Sequence, residues 1–104
     1  MPKIRLTVAY NQPPEMEPFL EHYEGVHVGL AQKIPGVQSF EWSKVVATPT
    51  GETPRYALIA ELTFASMDEF GAGLGSPEGQ AAAADVGGFA TNGADMFISE
   101  LADS

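Results

Sequence analysis

A chain of 104 residues with no cysteine and a formal net charge of −9 has limited options. The length favours one domain around one hydrophobic core. The missing thiols exclude disulfides and cysteine-held metals, and five basic residues against fourteen acidic ones leave little with which to neutralise nucleic-acid phosphates or an anionic membrane.

Residues 3–10, KIRLTVAY, alternate as a strand, with Ile4, Leu6, Val8 and Tyr10 on one face. This alternation is unlike a signal peptide, and no apolar run is long enough to span a bilayer, so a cytoplasmic protein is expected. A proline-rich loop, NQPPEMEP, leads into a helix ending near Lys33. Along it Met16, Phe19, Tyr23, Val26, His27, Leu30 and Ile34 form an apolar stripe at α-helical spacing. Pro35 and Gly36 end it. Residues 37–47 read as a second strand, with Phe40, Trp42, Lys44 and Val46 sharing a face, and residues 55–64 as a third. In the third, Tyr56, Leu58, Ala60, Leu62 and Phe64 alternate with Ala57, Ile59, Glu61 and Thr63. Ser66 with Glu69 three residues on is a capping box opening a helix. Ser76-Pro77 restarts a helix as cap and first residue. The glycines near its end and the TNG segment loosen the chain before a last strand at residues 94–101.

The order β-α-β-β-α-β predicts an α+β, ferredoxin-like fold: a four-stranded antiparallel sheet with its helices on one face, all 104 residues in one domain. Apolar residues on both faces of the third strand, with Phe40 and Trp42 on the second, call for a cover on the open face. The expectation is a homodimer packed sheet to sheet as a dimeric α/β barrel.

The two histidines lie five residues apart in HYEGVHVGL. On a regular α-helix five residues turn about 140°, so His22 falls to the rim and His27 faces inward with Tyr23 and Leu30. The pair is therefore not expected to hold a metal, unlike the four-residue spacing of HExxH. Two roles fit His27: a structural imidazole bonded at the helix–sheet seam, or a general acid or base with Tyr23 orienting it or sharing its ligand. Ten aromatic residues in so short a chain suggest a pocket for a hydrophobic small molecule. Phe19, Trp42, Tyr56, Phe70 and Phe89 are the rings assigned to it. Asp85, four residues before Phe89, reads as a surface carboxylate. GAGLGSPEG follows a helix, does not fit G-x-G-x-x-G and lacks a Walker lysine, and no G-x-S-x-G elbow occurs. No cofactor is expected.

Taken together, FLEHYEGVHVGLAQKIPGVQSFEWSKV and YALIAELTFASMDEFGAGLGSPEGQAAAADVGGFATNG resemble the EthD family, named for ethyl tert-butyl ether degradation. The resemblance rests on Tyr23, His27 and Leu30 as Tyr-x-x-x-His-x-x-Leu, on Pro35-Gly36, and on the run from Ser76 to Phe89. It implies a dimeric α/β-barrel and a link to oxidative breakdown of ethers or aromatics, often beside a monooxygenase system. It also implies a catalytic role for His27 with Tyr23. The family often carries proline two residues after this histidine, where the present chain has Gly29. That difference predicts a changed wall beside His27.

Overall fold

A computed structural model describes residues 2–102; the ends of the expected domain, Met1 and residues 103–104, lie outside it. Four strands, β1 (Ile4–Asn11), β2 (Val37–Lys44), β3 (Tyr56–Phe64) and β4 (Ala94–Glu100), form one antiparallel sheet in the order β2-β3-β1-β4. Helical segments α1 (Met16–His22) and α2 (Val28–Gln32), joined by a π turn over Tyr23–His27, follow β1. Helices α3 (Met67–Gly75) and α4 (Pro77–Phe89) follow β3. The arrangement is α+β and ferredoxin-like.

Register sets the faces. Leu6, Val8 and Tyr10 stand opposite Leu62, Ala60 and Leu58, and Phe40 and Trp42 opposite Leu62 and Ala60. Directly paired residues point the same way, so this row packs under the helices and supplies most of the buried core. The other face carries Arg5 with Glu61, Thr7, Glu41, Asp95 and Ser99 beside apolar Ala9, Ile59 and Phe97. Phe40 and Trp42 thus add nothing to the open face, which is more polar than plain strand reading implied.

The first helix departs most from expectation. Phe19, Tyr23, His27 and Ala31 are all buried, each four residues from the last, while Met16 and Val26 of the expected stripe are exposed. In a regular α-helix a four-residue repeat drifts about 40° per step and would leave the core after two or three. The π turn absorbs the drift: the Val28 N–H donates to the Tyr23 carbonyl, one residue further back than in an α-helix. Tertiary packing therefore selects a four-residue line instead of the 3.6-residue stripe.

The exits and caps agree with the sequence. Gly36 takes φ +85° after Pro35, Ser66 Oγ accepts from the Glu69 N–H at 3.2 Å, and Ser76 Oγ accepts from the Gly79 N–H at 3.0 Å. Helix α4 runs through Gly87 and Gly88 to Phe89. A methyl group at Gly88 would meet open space, whereas one at Gly79 would strike the Gly73 carbonyl and the Leu74 backbone. Gly88→Ala is expected to raise stability by about 0.5–1 kcal/mol through helix propensity. Gly79→Ala should lower it, and urea unfolding of the two variants will order them around the parent.

Candidate functional site: a histidine pair on one carboxylate

The π turn does more than bury the helix. Its i→i+5 pattern brings residues five apart onto one side. His22 and His27, expected to diverge, both reach Asp85 of α4. His22 Nε2 lies 2.8 Å from Oδ1 and 3.0 Å from Oδ2, and His27 Nδ1 lies 3.0 Å from Oδ2. His22 keeps its expected rim position, but its expected divergence from His27 and the surface position expected for Asp85 are both corrected. The Asp85 side chain is only 17% exposed, and His22 grades outward at 35% from His27 at 7%. Among the described residues, no three histidine, cysteine or acidic side chains are placed to hold a metal ion.

A carboxylate only accepts hydrogen bonds, so Nδ1 of His27 carries the proton and donates it. Nε2 is left as the lone-pair nitrogen, and the Tyr10 hydroxyl donates to it at 3.4 Å. That contact is long, so an incoming ligand could displace it at little cost. Burial holds the His27 imidazole below the ordinary value of 6.5, against the opposing pull of Asp85. His27 is therefore neutral near pH 7 and available as a base. Burial also pushes the Tyr10 hydroxyl far above its usual range, with Asp85 adding to the effect, so Tyr10 stays a donor.

The lowered basicity has a stability consequence. The unfolded chain protonates His27 from near pH 6.5 downward, before the folded chain does. Because the unfolded state then binds more protons, stability from this group is full above that pH and declines as pH falls through the lowered folded value. Urea midpoints at pH 7.5 and 5.5 should fall further apart in the parent than in His27→Gln.

His27 and Tyr10 both line a cavity of about 60 Å³ between sheet and helices. Its other walls are apolar, from Leu6, Val8, Leu62, Leu74 and Val86 among others. An aromatic cluster packs beside the His27 and Tyr10 rings, but Phe19, Tyr23, Trp42 and Phe89 do not line the cavity. Phe89 packs 5.1 Å from the His27 ring and 5.7 Å from Tyr10; Phe19 lies 5.4 Å from Phe89. Tyr23 sits 5.4 Å from His27, with Trp42 edge-on to it at 5.1 Å. The Tyr23 ring is fully buried, yet its hydroxyl has no hydrogen-bond partner among the described residues. Burial pushes that hydroxyl, too, far above its usual range.

Of the residues assigned from the sequence, His27, Tyr23, Phe19, Phe89 and Trp42 form one cluster, and two stand apart. Phe70 packs edge-on against Phe64 at 5.3 Å. Tyr56 donates to Asp95 at 2.6 Å on the open face. The reason is a bulge: Tyr10 pairs with Leu58 but Asn11 pairs with Tyr56, so Ala57 is the extra residue and Tyr56 leaves the face its alternation suggested. Gly29 is exposed, and an added side chain there would enter open space, not the wall of the cavity. Tyr10, read only as a strand residue, is the group that faces Nε2. Its position four places after Leu6 on the core face was visible, but nothing local linked it to His27.

Geometry defines the class first: a ferredoxin-like α+β protein with a histidine–carboxylate pair beneath a shell of aromatic rings. The EthD domain model matches residues 12–93, and the chain belongs to the EthD family. It is 43% identical over 96 residues to the uncharacterized 11.0 kDa protein in the thcB-thcC intergenic region of Rhodococcus erythropolis, covering 92% of each chain. An EthD family protein of Bacillus halodurans superposes with a TM-score of 0.91 at 28% identity, over 96% of this chain and 99% of that one. A dimeric ferredoxin-like protein of unknown function from Thermobifida fusca shares the fold, with a TM-score of 0.73 at 16% identity over 96% and 92% of the two chains.

Proposed function

We propose that this EthD-family protein is a general acid–base enzyme of ether or aromatic breakdown, acting on a compact hydrophobic molecule held between sheet and helices. The observation that carries the reading is His27 itself. Asp85 holds its Nδ1 at 3.0 Å, Nε2 faces the Tyr10 hydroxyl, and both residues line an apolar cavity. In the forward step Nε2 takes a proton from the substrate, and the resulting imidazolium is stabilised by the Asp85 carboxylate. The same nitrogen returns the proton to a different atom, which covers enolisation and dehydration. It also covers the deprotonation that begins a cofactor-free oxidation. Tyr10 donates to the oxygen that gains charge, a role suited to a preorganised hydroxyl in a dry site. The unpartnered Tyr23 hydroxyl supplies a second donor once a ligand arrives.

The size of the cavity narrows the substrate. At about 60 Å³ it is well under the roughly 150 Å³ of an apolar cavity that takes benzene. A small ketone or alkyl ether suits it better than an aromatic ring. In this reading the protein is a cytoplasmic, single-domain homodimer. Half-exposed Met96, Phe97 and Ile98 on edge strand β4 supply apolar surface for a second copy, and the T. fusca relative is described as dimeric. The same exposed edge favours a second reading, a non-catalytic ligand-binding or accessory protein for a partner oxygenase.

Two measurements separate these readings. Butanone and tert-butyl methyl ether are titrated into labelled protein while the His27 and Tyr10 resonances are followed. Exchange of butanone α-protons in D2O is timed beside buffer. An enzyme shows both the shifts and the faster exchange. Shifts without exchange favour the accessory reading, and neither would remove the site altogether.

A further inference from the structure

The acid–base reading leaves His22 without a task, although its imidazole makes the shortest bond to Asp85. Three observations bear on it. First, the helix abandons α geometry only over Tyr23–His27, the stretch that aligns the two histidines. π turns are rare and concentrate at functional sites. Second, His22 is held from both sides: Nε2 donates to the carboxylate, and the ring stacks on Phe89 at 4.9 Å and 29°. A half-exposed surface histidine has no need of such restraint. Third, Asp85 Oδ2 lies 3.0 Å from both imidazoles, so one oxygen is shared between the solvent-side and cavity-side rings.

A carboxylate on a helix can rotate about its side-chain torsions. With a single partner it could turn its oxygens toward water and release Nδ1 of His27. A second donor on the opposite side removes that freedom, as outer partners of catalytic histidines commonly do. We infer that His22 is a positioning residue: it clamps Asp85 from the solvent side, so that Oδ2 stays on Nδ1 of His27 and Nε2 stays the unprotonated nitrogen. The inference rests on the His27–Asp85 reading above, because it gives His22 no contact with substrate.

The test needs no substrate. Imidazole nitrogen resonances report which ring nitrogen carries the proton, and they can be recorded for the intact protein as the parent, His22→Gln and His22→Leu. Glutamine keeps an N–H for the carboxylate and cannot titrate; leucine keeps bulk and offers no donor. Parent and His22→Gln should show His27 as a single Nδ1–H form, and His22→Leu a mixture of both forms. Four titratable groups face His27: Asp85, His22, Tyr10 and Tyr23. Both variants remove the same chargeable neighbour, so the His27 midpoint should rise in each, while the loss of a single protonation form is confined to leucine. Butanone exchange should drop about tenfold in kcat with little change in KM for His22→Leu, and return with glutamine.

A His22→Leu protein that keeps the single Nδ1–H form overturns the inference. So does a glutamine variant that behaves like leucine. If the His27 forms mix in His22→Leu while the parent shows no exchange at all, the clamp stands and the enzyme reading falls.

Discussion

Asp85→Asn is expected to slow His27-dependent proton exchange by about 10²–10⁴-fold, the range attached to a positioned general base. The substitution is nearly isosteric, so the helix and cavity should survive. Two N–H donors now converge on Asp85, one from each histidine. Asparagine offers one carbonyl oxygen and an NH2 group that only donates. One imidazole must therefore face a donor and accept from it. If His27 does so, its proton moves to Nε2, and the nitrogen facing the cavity can no longer take a proton. If His22 does so, His27 keeps its tautomer but loses the carboxylate charge that stabilises its imidazolium, so exchange still slows, at the lower end of that range. His27→Gln sets the floor, because it removes the base and keeps an amide near Asp85. The assay is deuterium uptake into butanone, with circular dichroism of each variant to verify folding. Parent-like exchange in folded Asp85→Asn protein would remove the carboxylate from the mechanism.

The largest effect on stability is expected at Tyr23. Its ring is fully buried between Tyr10, Phe19, His27 and Trp42. Tyr23→Ala should cost about 3–5 kcal/mol, a large-to-small change at a site that the surrounding rings cannot easily collapse. That is a large share of the roughly 5–15 kcal/mol that holds a domain together. Tyr23→Phe makes a sharper test because it deletes only the hydroxyl. A buried hydroxyl without a partner carries an uncompensated desolvation cost. Removing it should raise the urea midpoint of the ligand-free protein, by a gain of about 1 kcal/mol. If the hydroxyl is there for a ligand, the same variant should bind butanone or tert-butyl methyl ether less tightly. A gain in stability with unchanged binding would leave Tyr23 as a core residue and take it out of the site.

These two expectations draw on different layers of information. The element order, the Pro35-Gly36 exit, the Ser66 and Ser76 caps and the core-facing alternation of β1 are local features, and each was legible from a few neighbouring residues. So was the burial of His27 and Tyr23, since four-residue spacing tolerates either helix geometry over one turn. Three decisive features had no local signature. The π turn is one extra residue in a helix, and a 3.6-residue stripe drawn through Met16 and Val26 cannot show it. The bulge at Ala57 lies inside an unbroken apolar run, so Tyr56 read as part of the core face. Asp85 lies 58 residues from His27, in an alanine-rich helix whose hydrophobic contrast is weak, and its orientation depends on how α4 packs on α2 and the π turn.

The chain by itself determined that an inward-facing histidine would lie under a sheet with tyrosine beside it, because local propensity and periodicity act over a turn or two of helix. Only the tertiary structure decided that His22 turns toward the same carboxylate, that Tyr10 faces Nε2, and that Tyr56 does not take part. Each of these depends on a register or a helix crossing, and long-range packing sets those by a balance of small energies spread over the whole core.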